Sequence, residues 1–206
     1  MSRSEIADLQ SDGRRVICYF SAGSSEDWRA DSGAFGESVQ GKPLDGWEGE
    51  RWLDIRSDAV LDVMVARLDL AQRKGCDGVE PDNVQSFDND TGFDLTEADQ
   101  LAYNRALAYA AHDRGLAIGL KNAAELIPEL IGHFDFSVNE ECNDYDECAP
   151  YEAFIAEGKP VFNAEYADRY VTDPDARARL CADSAAAGFS TLVLTVELDG
   201  AFRIAC

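Results

Sequence analysis

The sequence predicts an α/β domain of the (β/α)8-barrel type, single over residues 1–206 and lacking its first β-strand. Three observations carry that expectation. One unit recurs along the 206 residues, a helical pattern, a Gly and then a short apolar run that ends in polar residues: SDGRRVICYFSAG, QRKGCDGVEPDN, HDRGLAIGLKN, LIGHFDFSVNE, AEGKPVFNAEY and AAGFSTLVLTVE. Regular alternation of helix and strand signals a parallel sheet with its helices outside. Polar or acidic residues gather at the C-terminal end of nearly every run, where a barrel collects its functional groups. The chain also opens directly on a helical stretch, residues 5–11, instead of on a strand. A doubly wound open sheet would accommodate the same strands, but no G-x-G-x-x-G or P-loop accompanies them.

With RWLDIR added, seven strands are expected, at residues 16–20, 52–55, 77–81, 117–120, 134–138, 161–164 and 191–196. The helices between them have readable ends. Ser57 opens one with Val60, Met64 and Leu68 on a single stripe, running to Gly75. Thr96 with Asp99 has capping-box spacing and opens a second, with Tyr103, Leu107 and Ala110, closing before Gly115. Asp173 followed by Pro174 starts a third, which stops before Gly188. Each closing Gly suits the left-handed residue that ends a helix.

Composition narrows the function. A formal charge of -22 argues against a nucleic-acid partner, which needs a basic surface. The same charge fits a cationic ligand or adaptation to high salt. No apolar run is long enough to span a bilayer, and MSRSEIADLQSDGRR has no signal-peptide h-region. Six cysteines exceed what a reducing cytosol usually holds, so an exported protein is expected, beginning downstream of its natural start. Cys142 and Cys148 bracket a short acidic loop suited to a disulfide, and Cys181 and Cys206 would tie the last helix to the C-terminus. Cys18 and Cys76 lie in apolar patterns and read as buried thiols. No C-x-x-C spacing supports structural zinc.

The chemistry is read from the strand ends. They offer Tyr19 and Ser21; Asp54 and Arg56; Glu80, Asp82 and Asn83; Lys121 and Asn122; Asn139, Glu140 and Glu141; Glu165 and Tyr166; and Glu197. In GCDGVEPDN, strand alternation places Gly78, Glu80 and Asp82 on one face. His112 and His133 fall at the opposite end, so Ser/His or Cys/His catalysis is not expected. Carboxylates on one rim suit glycoside hydrolysis, one acid protonating the leaving oxygen while the other attacks or activates water. They would also suit a divalent cation, but the His or dense D-x-D such a site usually adds is missing, and neither metal nor cofactor is expected. Lys121 is placed to pair with a rim carboxylate.

The runs VICYFSAGS, GERWLDIR, GCDGVEPDN, AHDRGL with GLKN, and FDFSVNEEC with YDEC resemble the endo-α-1,4-polygalactosaminidase family, glycoside hydrolase family 114. The likeness extends from about Val16 to Tyr166, with weaker agreement to Cys206. It implies a mostly secreted (β/α)8 enzyme that cuts α-1,4-linked galactosamine in microbial exopolysaccharides, with Asp82 as nucleophile and Glu140 as general acid/base. Alternation agrees on Asp82 and differs at the second acid: in FDFSVNEE it turns Asn139 and Glu141 inward and Glu140 outward, unless a bulge intervenes. Tyr19, Ser21, Asp54, Glu80, Asn83, Lys121, Asn122, Asn139, Glu165 and Tyr166 are the expected substrate contacts. The partner would be a cationic galactosamine polysaccharide, with no nucleic acid or membrane involved. The departure from the family is the strand expected before the first helix, which leaves a catalytically impaired carbohydrate-binding protein as the alternative.

Overall fold

The computed structural model describes residues 1–206, and the chain divides into two compact units. The first comprises residues 1–121 with 132–134, the second residues 122–131 and 135–206.

In the first unit, α1 (Arg3–Ser11), α2 (Asp58–Lys74) and α3 (Glu97–His112) accompany the strands β1 (Ile17–Ser21), β5 (Gly78–Asp82) and β6 (Ala117–Lys121). These three strands run parallel in the order β1, β5, β6, with Tyr19 opposite Glu80 and Ser21 opposite Asp82. The predicted helix ends recur. Thr96 and Asp99 form a reciprocal capping box at α3, and Gly75 closes α2 at φ 88°, a conformation an L side chain resists. Val60, Met64 and Leu68 are fully buried along α2, each contributing about 1.5–3 kcal/mol of apolar burial. Asp77 locks α1 down, because its carboxylate accepts from Gln10, the Val16 N–H and Arg15. Those donors hold it below the usual carboxylate range, Gln10 foremost.

Residues 52–55 are not a barrel strand. They overlap β4 (Glu50–Leu53), the middle strand of a separate antiparallel sheet with β2 (Ser24–Glu26) and β3 (Gln40–Pro43). The long connection after β1 supplies both partners, so both edges of β4 are taken before any parallel strand reaches it. Cys18 and Cys76 are also corrected. They are joined in a disulfide across the start of the β1–β5 pair, and no cysteine is free. The other edge of β1 has no strand partner. Along it runs a groove of about 480 Å³ lined mainly by apolar residues, among them Ile6, Val16, Ile17, Phe20 and Leu70.

In the second unit, the parallel strands β7 (Phe136–Glu140), β8 (Val161–Glu165) and β9 (Ser190–Leu194) are joined by β10 (Arg203–Ala205), with the short helices α4 (Ile127–Leu130), α5 (Glu152–Ala156) and α6 (Asp168–Thr172) and the longer α7 (Pro174–Ala187). Asp173 caps α7 by accepting from the N–H groups of Asp175 and Ala176. Tyr170, Ala176, Leu180 and Val193 form the core, with Phe202 and Ile204 packed on it. A missing first strand would leave the last strand of the barrel with an open edge. Instead β10 pairs antiparallel along β9, Ile204 opposite Val193, because residues 195–202 turn the chain back. The disulfides Cys142–Cys148 and Cys181–Cys206 are as expected.

Candidate active site

Each unit carries a carboxylate cluster at its strand ends. In the first, Asp82 closes β5 and is surrounded by donors. Tyr19 gives its hydroxyl to Oδ2 at 2.9 Å, the Asn83 N–H gives to Oδ1 at 2.8 Å, and the Lys121 ammonium stands 3.4 Å from Oδ2. Lys121 is buried, bridges to Glu80 at 3.3 Å and lies over the Tyr19 ring. The Tyr19 ring is half exposed, but its sheltered hydroxyl is pushed well above the ordinary phenol range, by loss of water first and then by the charge of Asp82.

Behind Asp82, Asn83 adopts φ 58° and donates its amide to Ser21 Oγ at 2.8 Å. The Ser21 and Ser24 hydroxyls are 2.6 Å apart, and Ser24 donates to Glu50 Oε2 at 2.5 Å. Burial raises the Glu50 carboxyl above its usual value; the Ser24 hydrogen bond opposes this, and the charges of Glu26 and Asp82 add to it. Gly23 is required here, since a Cβ would sit 1.8 Å from the Asn83 carbonyl oxygen. Further back, Arg67 holds Asp31 with two hydrogen bonds, donates to the Ser21 carbonyl and lies 3.6 Å from the buried Glu26. Asp54 stands apart from this cluster. Arg56 grips it with two hydrogen bonds and thereby lowers its pKa.

In the second unit, Glu140 closes β7. Its Oε1 accepts from the Tyr166 hydroxyl at 2.7 Å and its Oε2 from the Asn122 amide at 3.3 Å, while the Glu140 N–H returns to Asn122 Oδ1 at 2.9 Å. Glu141 follows at φ 58°, so strict strand alternation ends at Glu140, although the Glu141 N–H still bonds to the Ala164 carbonyl. Loss of water raises the Glu141 carboxyl, with Asp144, Glu165 and Glu140 adding like charge. Glu165 is fully buried, and one of its oxygens accepts from the Asn143 N–H, the Asn143 amide and the Asn163 amide. Asn139, in register with Asn163 on the neighbouring strand, is fully buried with neither amide atom hydrogen-bonded.

Of the residues singled out from sequence, Tyr19, Ser21, Glu80, Asp82, Asn83 and Lys121 thus come together in one cluster, and Asn122, Glu140 and Tyr166 in another. Glu165 and Asn139 lie beneath the surface of the second unit, and Asp54 belongs to its own ion pair. Glu50, Ser24 and Arg67 escaped the reading of strand ends. Alternation in GERWL was the available signal for Glu50, since it puts Glu50 on the buried side with Trp52 and leaves Arg51 out. No group of three or more His, Cys, Asp and Glu side chains has metal-binding geometry, and no helix is long and apolar enough to cross a membrane.

The model of glycoside-hydrolase family GH114 matches residues 1–206. Among solved structures, Ega3 of Aspergillus fumigatus in complex with galactosamine is 45% identical, with a TM-score of 0.93, covering 100% of this chain and 84% of that one. The glycoside hydrolase domain of PelA from Pseudomonas aeruginosa shares the fold at 19% identity, with a TM-score of 0.74 over 99% of this chain and 87% of its own. No curated protein sequence matches. An α/β fold of the barrel type with carboxylates at its strand ends, so matched, is that of a glycoside hydrolase. The chain belongs to glycoside hydrolase family GH114.

Proposed function

We propose that this glycoside hydrolase is an endo-acting, retaining enzyme that cuts α-1,4-linked galactosamine polymers, with Asp82 as nucleophile and Glu140 as general acid/base. The observation that carries the reading is the surround of Asp82. A phenol, a backbone N–H and an ammonium all face its carboxylate, which keeps its oxygens as acceptors in fixed positions, as an attacking group requires. Glu140, held by the Tyr166 hydroxyl and the Asn122 amide, is suited to handling a proton. In the first step an Asp82 oxygen bonds to the anomeric carbon while Glu140 gives its proton to the departing glycosidic oxygen. In the second, Glu140 takes a proton from water, the water oxygen bonds to the anomeric carbon, and the bond to Asp82 breaks.

The galactosamine held by Ega3 supports an amino sugar as substrate. A charge of -22 supports a polycationic chain, drawn in more weakly as salt rises. Three disulfides favour an extracellular setting. The alternative is a related protein that binds such chains without cutting them.

Hydrolysis of de-N-acetylated galactosaminan tests both readings. Glu140→Gln should lower kcat by about 10²–10⁴-fold, and Asp82→Asn should abolish turnover, each with an unchanged circular dichroism spectrum. Full activity in Glu140→Gln with none in Glu141→Gln would move the acid/base role to Glu141. Binding without turnover by the unsubstituted chain would favour the alternative.

A further inference from the structure

Glu50 takes no part in the chemistry proposed above, yet it is 94% buried at the end of a hydrogen-bonded line that starts at Asp82. The line runs in one sense only. The Asn83 amide nitrogen can only donate, and it gives to Ser21 Oγ at 2.8 Å, with a weaker approach to Ser24 Oγ at 3.4 Å. Ser21 Oγ also accepts from the Ser24 N–H at 3.1 Å. With both of its lone pairs occupied, the Ser21 hydroxyl must give its hydrogen to Ser24 Oγ, 2.6 Å away. Ser24 then gives its own to Glu50 Oε2 at 2.5 Å. Glu50 is the terminal acceptor that sets the direction of every bond above it.

The upper end of the line meets Asp82 twice. Asn83, held by its side chain in the left-handed region at φ 58°, aims its N–H at Asp82 Oδ1 from 2.8 Å. The turn between Ser21 and Ser24 sends the N–H groups of Ala22 and Gly23 to the Asp82 carbonyl at 2.8 and 3.2 Å. A non-Gly residue at positive φ is costly unless its surroundings hold it there, and the Asn83 amide has no acceptor besides this line. We infer that Glu50 is a positioning residue, which fixes the left-handed turn at Asn83 and thereby the orientation of the Asp82 carboxylate. The inference rests on the reading of Asp82 as nucleophile.

The test combines kinetics on de-N-acetylated galactosaminan with ¹H–¹⁵N spectra of the full chain. Glu50→Ala and Ser24→Ala should each lower kcat about 10- to 100-fold, as misplacement of a reacting group does, with KM changed less than about twofold. Glu50→Gln keeps an oxygen that accepts from Ser24 and should retain most of kcat. Glu50→Ala combined with Asn83→Ala should be no slower than Asn83→Ala alone. The Asn83 backbone and side-chain N–H resonances should shift in both alanine variants. Glu50→Gln as slow as Glu50→Ala, additive losses in the double variant, or unmoved Asn83 resonances would each overturn the inference. Should Glu50→Ala fail to fold, Ser24→Ala interrupts the same line with Glu50 in place. Failure of the unsubstituted chain to hydrolyse the polymer would count against the function alone, since the resonances report on the turn without turnover.

Discussion

Removing the Cys18–Cys76 disulfide should cost more stability than removing either of the other two. The bridge closes a separation of 58 residues, against 25 for Cys181–Cys206 and 6 for Cys142–Cys148. Loop-closure entropy in the unfolded chain then gives about 4.2, 3.5 and 2.2 kcal/mol respectively. At about 2–4 °C per kcal/mol for a domain of this size, Cys18→Ala with Cys76→Ala should lower Tm by about 8–17 °C, and Cys142→Ala with Cys148→Ala by about 4–9 °C. Scanning calorimetry at matched rates and protein concentrations measures both. Activity should rank the other way. The Cys142–Cys148 ring begins two residues after Glu140 and contains Asn143, which donates twice to the buried Glu165. Its loss should therefore reduce kcat more than loss of the longer bridge at a temperature where both variants are folded. A smaller Tm drop for the Cys18–Cys76 pair than for the Cys142–Cys148 pair would refute the loop-length argument.

Arg67→Leu should destabilise the chain by about 3–5 kcal/mol, because it strands the buried Glu26 and frees Asp31 and the Ser21 carbonyl; Arg29, which also pairs with Glu26, holds the loss toward the lower figure. Urea unfolding that shows less than about 1 kcal/mol would mean the network is not a stabilising one. Glu141→Gln should behave differently with pH. The folded-state pKa of Glu141 is raised by loss of water and neighbouring acids, so its ionisation takes stability away as pH rises through that value. The substitution should raise Tm at pH 7 and leave it unchanged below the ordinary glutamate pKa of about 4.3. An equal gain at both pH values would show that charge is not the cause.

What could be read from sequence divides along local and non-local lines. The capping box of Thr96 and Asp99, the Asp173–Pro174 start of α7 and the Gly75 and Gly188 stops are set by residues a turn apart, and all were legible. The GCDGVEPDN strand was legible for the same reason, and with it the pairing of Glu80 with Asp82 on one face. Pairing partners were not. Trp52 alternates like any strand residue, and nothing within RWLDIR reveals that Ser24–Glu26 and Gln40–Pro43 will flank it. Cys18 and Cys76 look like core thiols in isolation, and only the β1–β5 register brings them within bonding distance. Strand alternation could not place Glu141, because it follows the last residue of β7 and turns left-handed at φ 58°. Glu50 stayed hidden because its importance lies in a partner 26 residues away.

The unpaired edge of β1 has a colloidal consequence. A bare strand edge is a template on which a second copy can pair, and this one lies beside an apolar groove. What opposes it is the charge of -22 on every copy. That repulsion reaches about 10 Å in 0.1 M salt and only about 3 Å in 1 M, whereas backbone pairing and apolar contact are short-ranged and hardly screened. The same chain should therefore disperse at low ionic strength and self-associate through β1 as salt is added, the opposite of a protein whose copies are held together by ion pairs.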